Sequence, residues 1–149
     1  MEIKQYTKKL IPDVLQFERD LRAEENFWGW EIDEKYIADV TASFENPAFA
    51  NSLSLLAYMD SKVVGRIDST KICSHFDGST KAYLDWICVL KSYRHKGVAQ
   101  ALMTALRKEL KEQGIETLIG LIAANEDAQN FYRNLPNSLI RDEGIWIDL

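Results

Sequence analysis

Three groups of residues in this 149-residue chain have the types and spacing to do chemistry. The first is Ser92-Tyr93-Arg94-His95-Lys96-Gly97-Val98-Ala99-Gln100, where three basic side chains meet a glycine just before an apolar helical stripe. A helix start carries backbone N–H groups without intrahelical partners and the positive end of the helix dipole, so it can seat a phosphate. Gly97 lets the backbone approach a bulky ligand, Ala99 keeps the next exposed position small, and Arg94, His95 and Lys96 add positive charge. The pattern is neither G-x-x-x-x-G-K-[ST] nor G-x-G-x-x-G, and a basic first turn can serve solubility alone. The second group is Asp85, a carboxylate in an otherwise apolar strand, alternating with Ile87 and Val89. It is either a proton acceptor for an amine or a hydrogen-bonded structural aspartate. The third is Asn125 and Tyr132, seven residues apart and so on one helix face. Locally they read as a helix cap and a core tyrosine; chemically they offer an amide and a phenol proton.

Hydrophobic period supplies the elements that must position these groups. Ile3–Tyr6 alternates like a strand. Pro12 suits the first turn of a helix whose apolar residues are Val14, Phe17 and Leu21. Asp33 can cap a second helix with Tyr36, Ile37, Val40 and Phe44 on its apolar face, and Asn46-Pro47 ends it. Strands are predicted at 53–59, 62–72 and 81–90, joined by turns at Asp60-Ser61 and 74–80, as an antiparallel meander. A helix with Val98, Leu102, Leu106 and Leu110 on one stripe closes at Gly114. A buried strand over 117–122, a helix over 125–135 with Ala128, Phe131 and Leu135 inward, and two short strands around Asp142-Glu143-Gly144 complete the order β-α-α-β-β-β-α-β-α-β-β. The strand–helix–strand after Lys81 implies a parallel pair with a right-handed crossover. The fold class is therefore a mixed α/β sheet in one domain, residues 1–149.

Composition sets limits on partners. At 46% hydrophobic and 28% charged the chain reads as a soluble globular domain. Its net charge of −5 argues against nucleic acid. The start, MEIKQYTKKL, has no signal-like apolar run, and no stretch approaches the roughly 18 apolar residues of a membrane span. Cys73 and Cys88 lack metal-ligand spacing and read as free buried thiols of a cytoplasmic protein without a metal. The charge is polarised. Nine acids and three bases lie between Glu18 and Glu45, whereas six bases and one acid lie between Lys91 and Lys111. Either block can be a solvated face; together they offer one pole for a cation and one for an anion.

Arg94-x-x-Gly97-x-Ala99 resembles the R/Q-x-x-G-x-G/A signature of the GNAT superfamily, the acetyl-CoA-dependent N-acetyltransferases. Asn125-x-x-Ala128-x-x-Phe131-Tyr132 resembles its second signature, and the element order agrees over nearly the whole chain. Three positions depart from the pattern: Leu90-Lys91-Ser92 replaces a frequent proline, Gln100 is larger than usual, and Leu135-Pro136-Asn137 follows the tyrosine. The resemblance implies acetyl-CoA as cosubstrate, its diphosphate on the backbones of His95, Lys96, Gly97, Val98, Ala99 and Gln100 beside Arg94. It places the pantetheine arm and thioester along Ile87, Cys88 and Val89, with the Val89 amide as donor to the thioester oxygen. It makes Tyr132 the acid that protonates the departing thiolate and Asn125 a pantetheine contact. Asp85 is the candidate base, or a water chain serves instead. The implied reaction is direct attack by a primary amine in a ternary complex.

In this family the first two helices and their loop usually build the acceptor wall. Here that region holds Glu25, Phe27, Trp28, Trp30 and Tyr36 among the nine acids. Aromatic faces and carboxylates suit a cationic amine, a small molecule or a basic peptide. The tryptophans can equally be core or the interface of a homodimer. A different class stays open: a non-catalytic acetyl-CoA-binding regulatory or protein-interaction module on the same scaffold.

Overall fold

The computed structural model describes residues 1–25, 31–141, 144, 145 and 147. They form two compact units, Met1–Ile119 and Gly120–Leu149. The first contains β1 (Glu2–Gln5), α1 (Ile11–Glu24), α2 (Glu34–Ser43), β2 (Ser52–Met59), β3 (Lys62–Cys73), β4 (Thr80–Val89) and α3 (Val98–Glu112). A short strand, β5 (Leu118–Gly120), reaches the boundary, and α4 (Glu126–Arg133) lies in the second. The strands form one mixed sheet in the order β1-β2-β3-β4-β5. β1 to β4 pair antiparallel, so the expected meander is present and β1 extends it. Asp60 and Ser61 both take positive φ, 51° and 63°, as a two-residue hairpin turn matched to strand twist requires.

The helices follow their sequence signals. Pro12 sits in the first turn of α1, which buries Val14, Phe17 and Leu21. The Asp33 side chain accepts the Tyr36 N–H at 2.7 Å and caps α2. α3 buries Val98, Leu102, Met103, Leu106 and Leu110. It ends where Gly114, at φ 76°, lets the Ile115 N–H bond back to Leu110.

The two faces of β3 belong to different helices. Arg66 and Asp68 face the α1 side, where Arg66 reaches Glu18. Gly65 faces α3. A Cβ built on Gly65 would lie 2.8 Å from Val98 Cγ1, 3.1 Å from Leu102 Cδ1 and 3.3 Å from the Cys88 carbonyl oxygen. Val98 is buried and β-branched, so it cannot swing aside. A glycine inside a strand marks such a close approach of two elements, and it brings the start of α3 down beside the end of β4.

Several expectations change. The apolar face of α2 buries nothing completely; Tyr36, Val40 and Phe44 instead line a cleft. β5 is three residues rather than six. The C-terminal strand pair falls partly on Asp142, Glu143, Trp146, Asp148 and Leu149, outside the described residues, and residues 138–141, Gly144, Ile145 and Ile147 are not in strand. Both thiols are free as expected, but neither is fully buried: Cys73 is exposed and Cys88 half-buried.

We expect Gly65→Ala to lower stability by about 1–3 kcal/mol, as overpacking does. By calorimetry Tm should drop by roughly 2–10 °C; an unchanged Tm would show that α3 does not press on β3 there.

Candidate active site

The site is built around β4, whose two edges are used differently. Toward β3 the ladder is continuous except at one point: Trp86 faces Asp68 and Leu84 faces Ser69, so Asp85 is an extra residue with no partner opposite. This β-bulge reverses the alternation of the strand. Trp86 and Cys88 join the face of Arg66 and Asp68, while Ile87 and Val89 turn to the face of Gly65 and α3. The simple alternation of Asp85 with Ile87 and Val89 is thereby broken, and Asp85 is exposed rather than held in an apolar strand.

On the other edge, the Ala82 N–H donates to the Thr117 carbonyl at 2.9 Å, which sets the start of the β4–β5 pairing. Three residues of β5 cover about 10 Å and run out before Ile87. The Leu90 N–H donates to Val64 at 3.0 Å, on the β3 side. Successive residues of a strand point their main-chain groups to opposite edges, so Val89 and Ile87 turn their N–H and C=O away from β3. These are main-chain hydrogen-bonding groups on an open strand edge.

Beyond that edge the chain turns through Arg94 into α3. His95 and Gly97 both have positive φ, 58° and 78°. A Cβ on Gly97 would meet nothing within 4 Å, so within the protein glycine is needed there for its left-handed backbone rather than for room. No side chain caps this helix start. The first helical bond runs from Ala101 to the Gly97 carbonyl at 3.0 Å, which leaves the N–H groups of Val98, Ala99 and Gln100 without an intrahelical partner. The Lys96 ammonium lies over the Tyr93 ring at 4.7 Å, next to the same turn. The geometry fits a diphosphate better than composition alone could say: N–H groups without intrahelical partners and a positive helix end coincide with the Lys96 ammonium.

Arg94 does not stand free. It forms an ion pair with Glu25, and its Nε donates to the Val89 carbonyl at 3.4 Å. Burial raises the Cys88 thiol to about 11, with Arg94 pulling it down and Glu25 pushing it up. Of the acceptor-wall residues, Glu25 and Tyr36 can be placed; Phe27, Trp28 and Trp30 lie outside the described residues.

A cleft of about 880 Å³ opens on the α1/α2 face of the sheet. Five carboxylates line it, from Glu18, Asp39, Glu45, Asp68 and Asp85, against the guanidinium of Arg66. Glu18 is 1% exposed, and its cost of burial is offset by strong partners. Tyr36 donates its hydroxyl to both Glu18 oxygens, at 2.7 and 2.9 Å, and Arg66 bonds Glu18 at 3.1 Å. Arg66 also pairs with Asp68 at 2.8 Å, and Ser54 donates to Asp68 at 2.5 Å. The guanidinium lies over the rings of Tyr6 (5.1 Å) and Trp86 (5.7 Å). Burial works to lower the Arg66 pKa, but Asp68, Tyr6 and Glu18 outweigh it, so the group stays charged. Burial also pushes the Tyr6 phenol up to about 12. Asp85 differs from these fixed groups: its carboxylate has no hydrogen-bond or ion-pair partner among the described residues.

In the second unit, Asn125 caps α4, its Oδ1 accepting the Ala128 N–H at 2.9 Å, which leaves its NH2 group for other work. Tyr132 lies on α4, its ring edge-to-face with Phe131 at 5.2 Å. Burial raises its pKa above the ordinary phenol value. Sequence reading missed Arg66, Asp68 and Gly65. The polar pair Arg66-x-Asp68 inside an apolar strand was the available signal.

The geometry predicts a contrast in stability. Glu18→Ala should cost about 1–3 kcal/mol because it takes one of two carboxylate partners from the buried Arg66 and an acceptor from Tyr36, whereas Asp85→Asn should stay within about 0.5 kcal/mol of the parent; urea denaturation reads both, and a large loss with Asp85→Asn would make that residue structural. Iodoacetamide at pH 8 should modify Cys73 well before Cys88, because the raised pKa keeps the Cys88 thiol neutral; equal rates by mass spectrometry would contradict its burial.

The family model described as "Acetyltransferase (GNAT) family" matches residues 2–135. No curated protein matches the chain. Among solved structures, an aminoglycoside acetyltransferase, meta-AAC0020, from an uncultured soil metagenomic sample in complex with sisomicin superposes with a TM-score of 0.82 at 18% identity, covering 99% of this chain and 95% of that one. AAC(6')-Iy in complex with a bisubstrate analogue, CoA-S-monomethyl-acetylneamine, gives 0.77 at 19% identity, covering 99% and 97%. A ribosomal-protein-alanine N-acetyltransferase from Brucella melitensis biovar Abortus 2308 gives 0.75 at 16% identity, covering 99% and 97%. At these identities the likenesses establish a shared fold. No described helix is long and apolar enough to cross a membrane. With its family model spanning nearly all of the sequence, the chain belongs to the acetyltransferase (GNAT) family and is an N-acetyltransferase.

Proposed function

We propose that this protein is one N-acetyltransferase domain, residues 1–149, that uses acetyl-CoA to acetylate a primary amine bearing further positive charge, a small molecule or a basic peptide. The observation that supports the acceptor class is the cleft: of its five carboxylates, Glu18 and Asp68 share Arg66, Asp39 pairs with Lys35 and Glu45 with Lys8, which leaves the lining net negative with Asp85 unpaired among the described residues, and Tyr36, Phe44 and Trp86 supply aromatic walls. Such a lining attracts cations through charge and ring faces. The solved relatives named above include enzymes for aminoglycosides and for a ribosomal protein, which spans the same two acceptor classes.

The cosubstrate supplies an activated acetyl group. The N–H groups of Val98, Ala99 and Gln100 and the basic residues Arg94, His95 and Lys96 hold its diphosphate, and Ile87 to Val89 offer an open edge for its arm. An ammonium must lose a proton before its nitrogen can attack the thioester carbon. Asp85 accepts that proton, directly or through water, since it lines the acidic cleft without a partner. As the carbon–nitrogen bond forms and the carbon–sulfur bond breaks, the Val89 N–H donates to the carbonyl oxygen while it carries negative charge. The thiolate then takes a proton from the Tyr132 hydroxyl, which like any phenol carries its proton at neutral pH. The products are the amide and the free thiol of CoA.

The test is release of free CoA thiol across a panel of mono-, di- and polyamines, amino sugars and basic peptides. Polycationic acceptors should turn over fastest, and activity should fall by about two orders of magnitude in Asp85→Asn. Tyr132→Phe should lower kcat with little change in acetyl-CoA affinity. Saturable acetyl-CoA binding without thiol release from any amine would instead make the protein a non-catalytic binding module.

A further inference from the structure

The open edge of β4 at Val89 is closed in this structure by one of the protein's own side chains. Arg94 lies across it, donating Nε to the Val89 carbonyl at 3.4 Å while its terminal nitrogen pairs with Glu25. Glu24, the preceding residue, takes the Ser92 N–H at 3.0 Å and the Ser92 hydroxyl at 2.6 Å. Two successive carboxylates at the C-terminal end of α1 thus grip the turn that leads into α3. A helix C-terminus disfavours negative charge, so these glutamates gain from the cationic turn what the dipole denies them. The Arg94 and Glu25 side chains are each about one-third exposed, 32% and 31%. An ion pair so open to water is worth only about 0–1 kcal/mol. A diphosphate carries more charge than one carboxylate and can take a guanidinium from it.

We propose that Glu25 is a latch residue: its carboxylate holds Arg94 across the Val89 edge, the cosubstrate's diphosphate takes Arg94 away from it, and the released Glu25 carboxylate then attracts the acceptor's ammonium. This rests on the reading above that acetyl-CoA occupies the start of α3 and the edge of β4. Glu25 here is a positioning residue, acting through Arg94 until the cosubstrate arrives. The exchange couples the two ligands reciprocally.

Calorimetric titration with acetyl-CoA at low salt separates the possibilities. Wild type should bind saturably, and Glu25→Gln, which removes the competing charge and keeps the shape, should bind about two- to fivefold more tightly. Glu25→Ala should show the same gain. In an Arg94→Gln background, Glu25→Gln should change nothing. With turnover measured on the best amine from the panel, Glu25→Gln should lower the KM for acetyl-CoA and raise that for the amine. Unchanged or weaker acetyl-CoA binding by both Glu25 variants, with melting curves showing them folded, overturns the latch and makes Glu25 a mere support for Arg94. Failure of wild type to bind acetyl-CoA overturns the underlying reading as well.

Discussion

The site depends on the unequal use of the two edges of β4. One edge is laddered to β3 along the strand, and the other is accompanied by a strand of only three residues. Backbone N–H and C=O groups must find partners, so an edge left open near Val89 is a demand for something extended and polar to lie there. Arg94 answers part of that demand from within the chain. The same point lies beside the start of α3, whose first N–H groups are also unspent. Main-chain groups turned outward on a strand edge and helix N–H groups without intrahelical partners therefore lie at one place in the fold.

That convergence is enforced by packing. Gly65 lets α3 settle on β3 at a distance no side chain would allow, and the buried stripe from Val98 to Leu110 keeps it there. On the opposite face the chemistry is electrostatic. Arg66 is held between Glu18 and Asp68 and between two aromatic rings. This network fixes the floor of the cleft while leaving it net negative. The bulge at Asp85 is where the two faces exchange, and it turns one carboxylate out of the ladder into the cleft. A rigid base with one unpaired acid is a sensible arrangement for drawing a proton from a bound ammonium.

Much of this was legible in the sequence because it is local. The stripe of α3, the cap at Asp33, the hairpin at Asp60-Ser61 and the glycine at the start of α3 are each set by neighbours a few residues apart. What escaped was relational. A bulge exists only relative to the opposing strand, so Asp85 read as a plain alternating residue. The Arg94–Glu25 pair joins residues 69 apart, and the Arg66–Glu18 bond residues 48 apart. Such partners cannot be read from spacing. The face of α2 was correctly apolar, but sequence does not distinguish a face turned to a core from one turned to a cleft. Gly65 did carry a signal, a glycine amid Val63, Val64 and Ile67, that points to close approach without saying of what.

If the helix start and the open strand edge together receive the phosphates and arm of coenzyme A, an amide-resolved NMR titration of the 15N-labelled protein with CoA should give saturable shifts that are largest at Gly97, Val98, Ala99, Gln100, Ile87 and Val89. Shifts confined to the acidic cleft, or none that saturate, would contradict that placement.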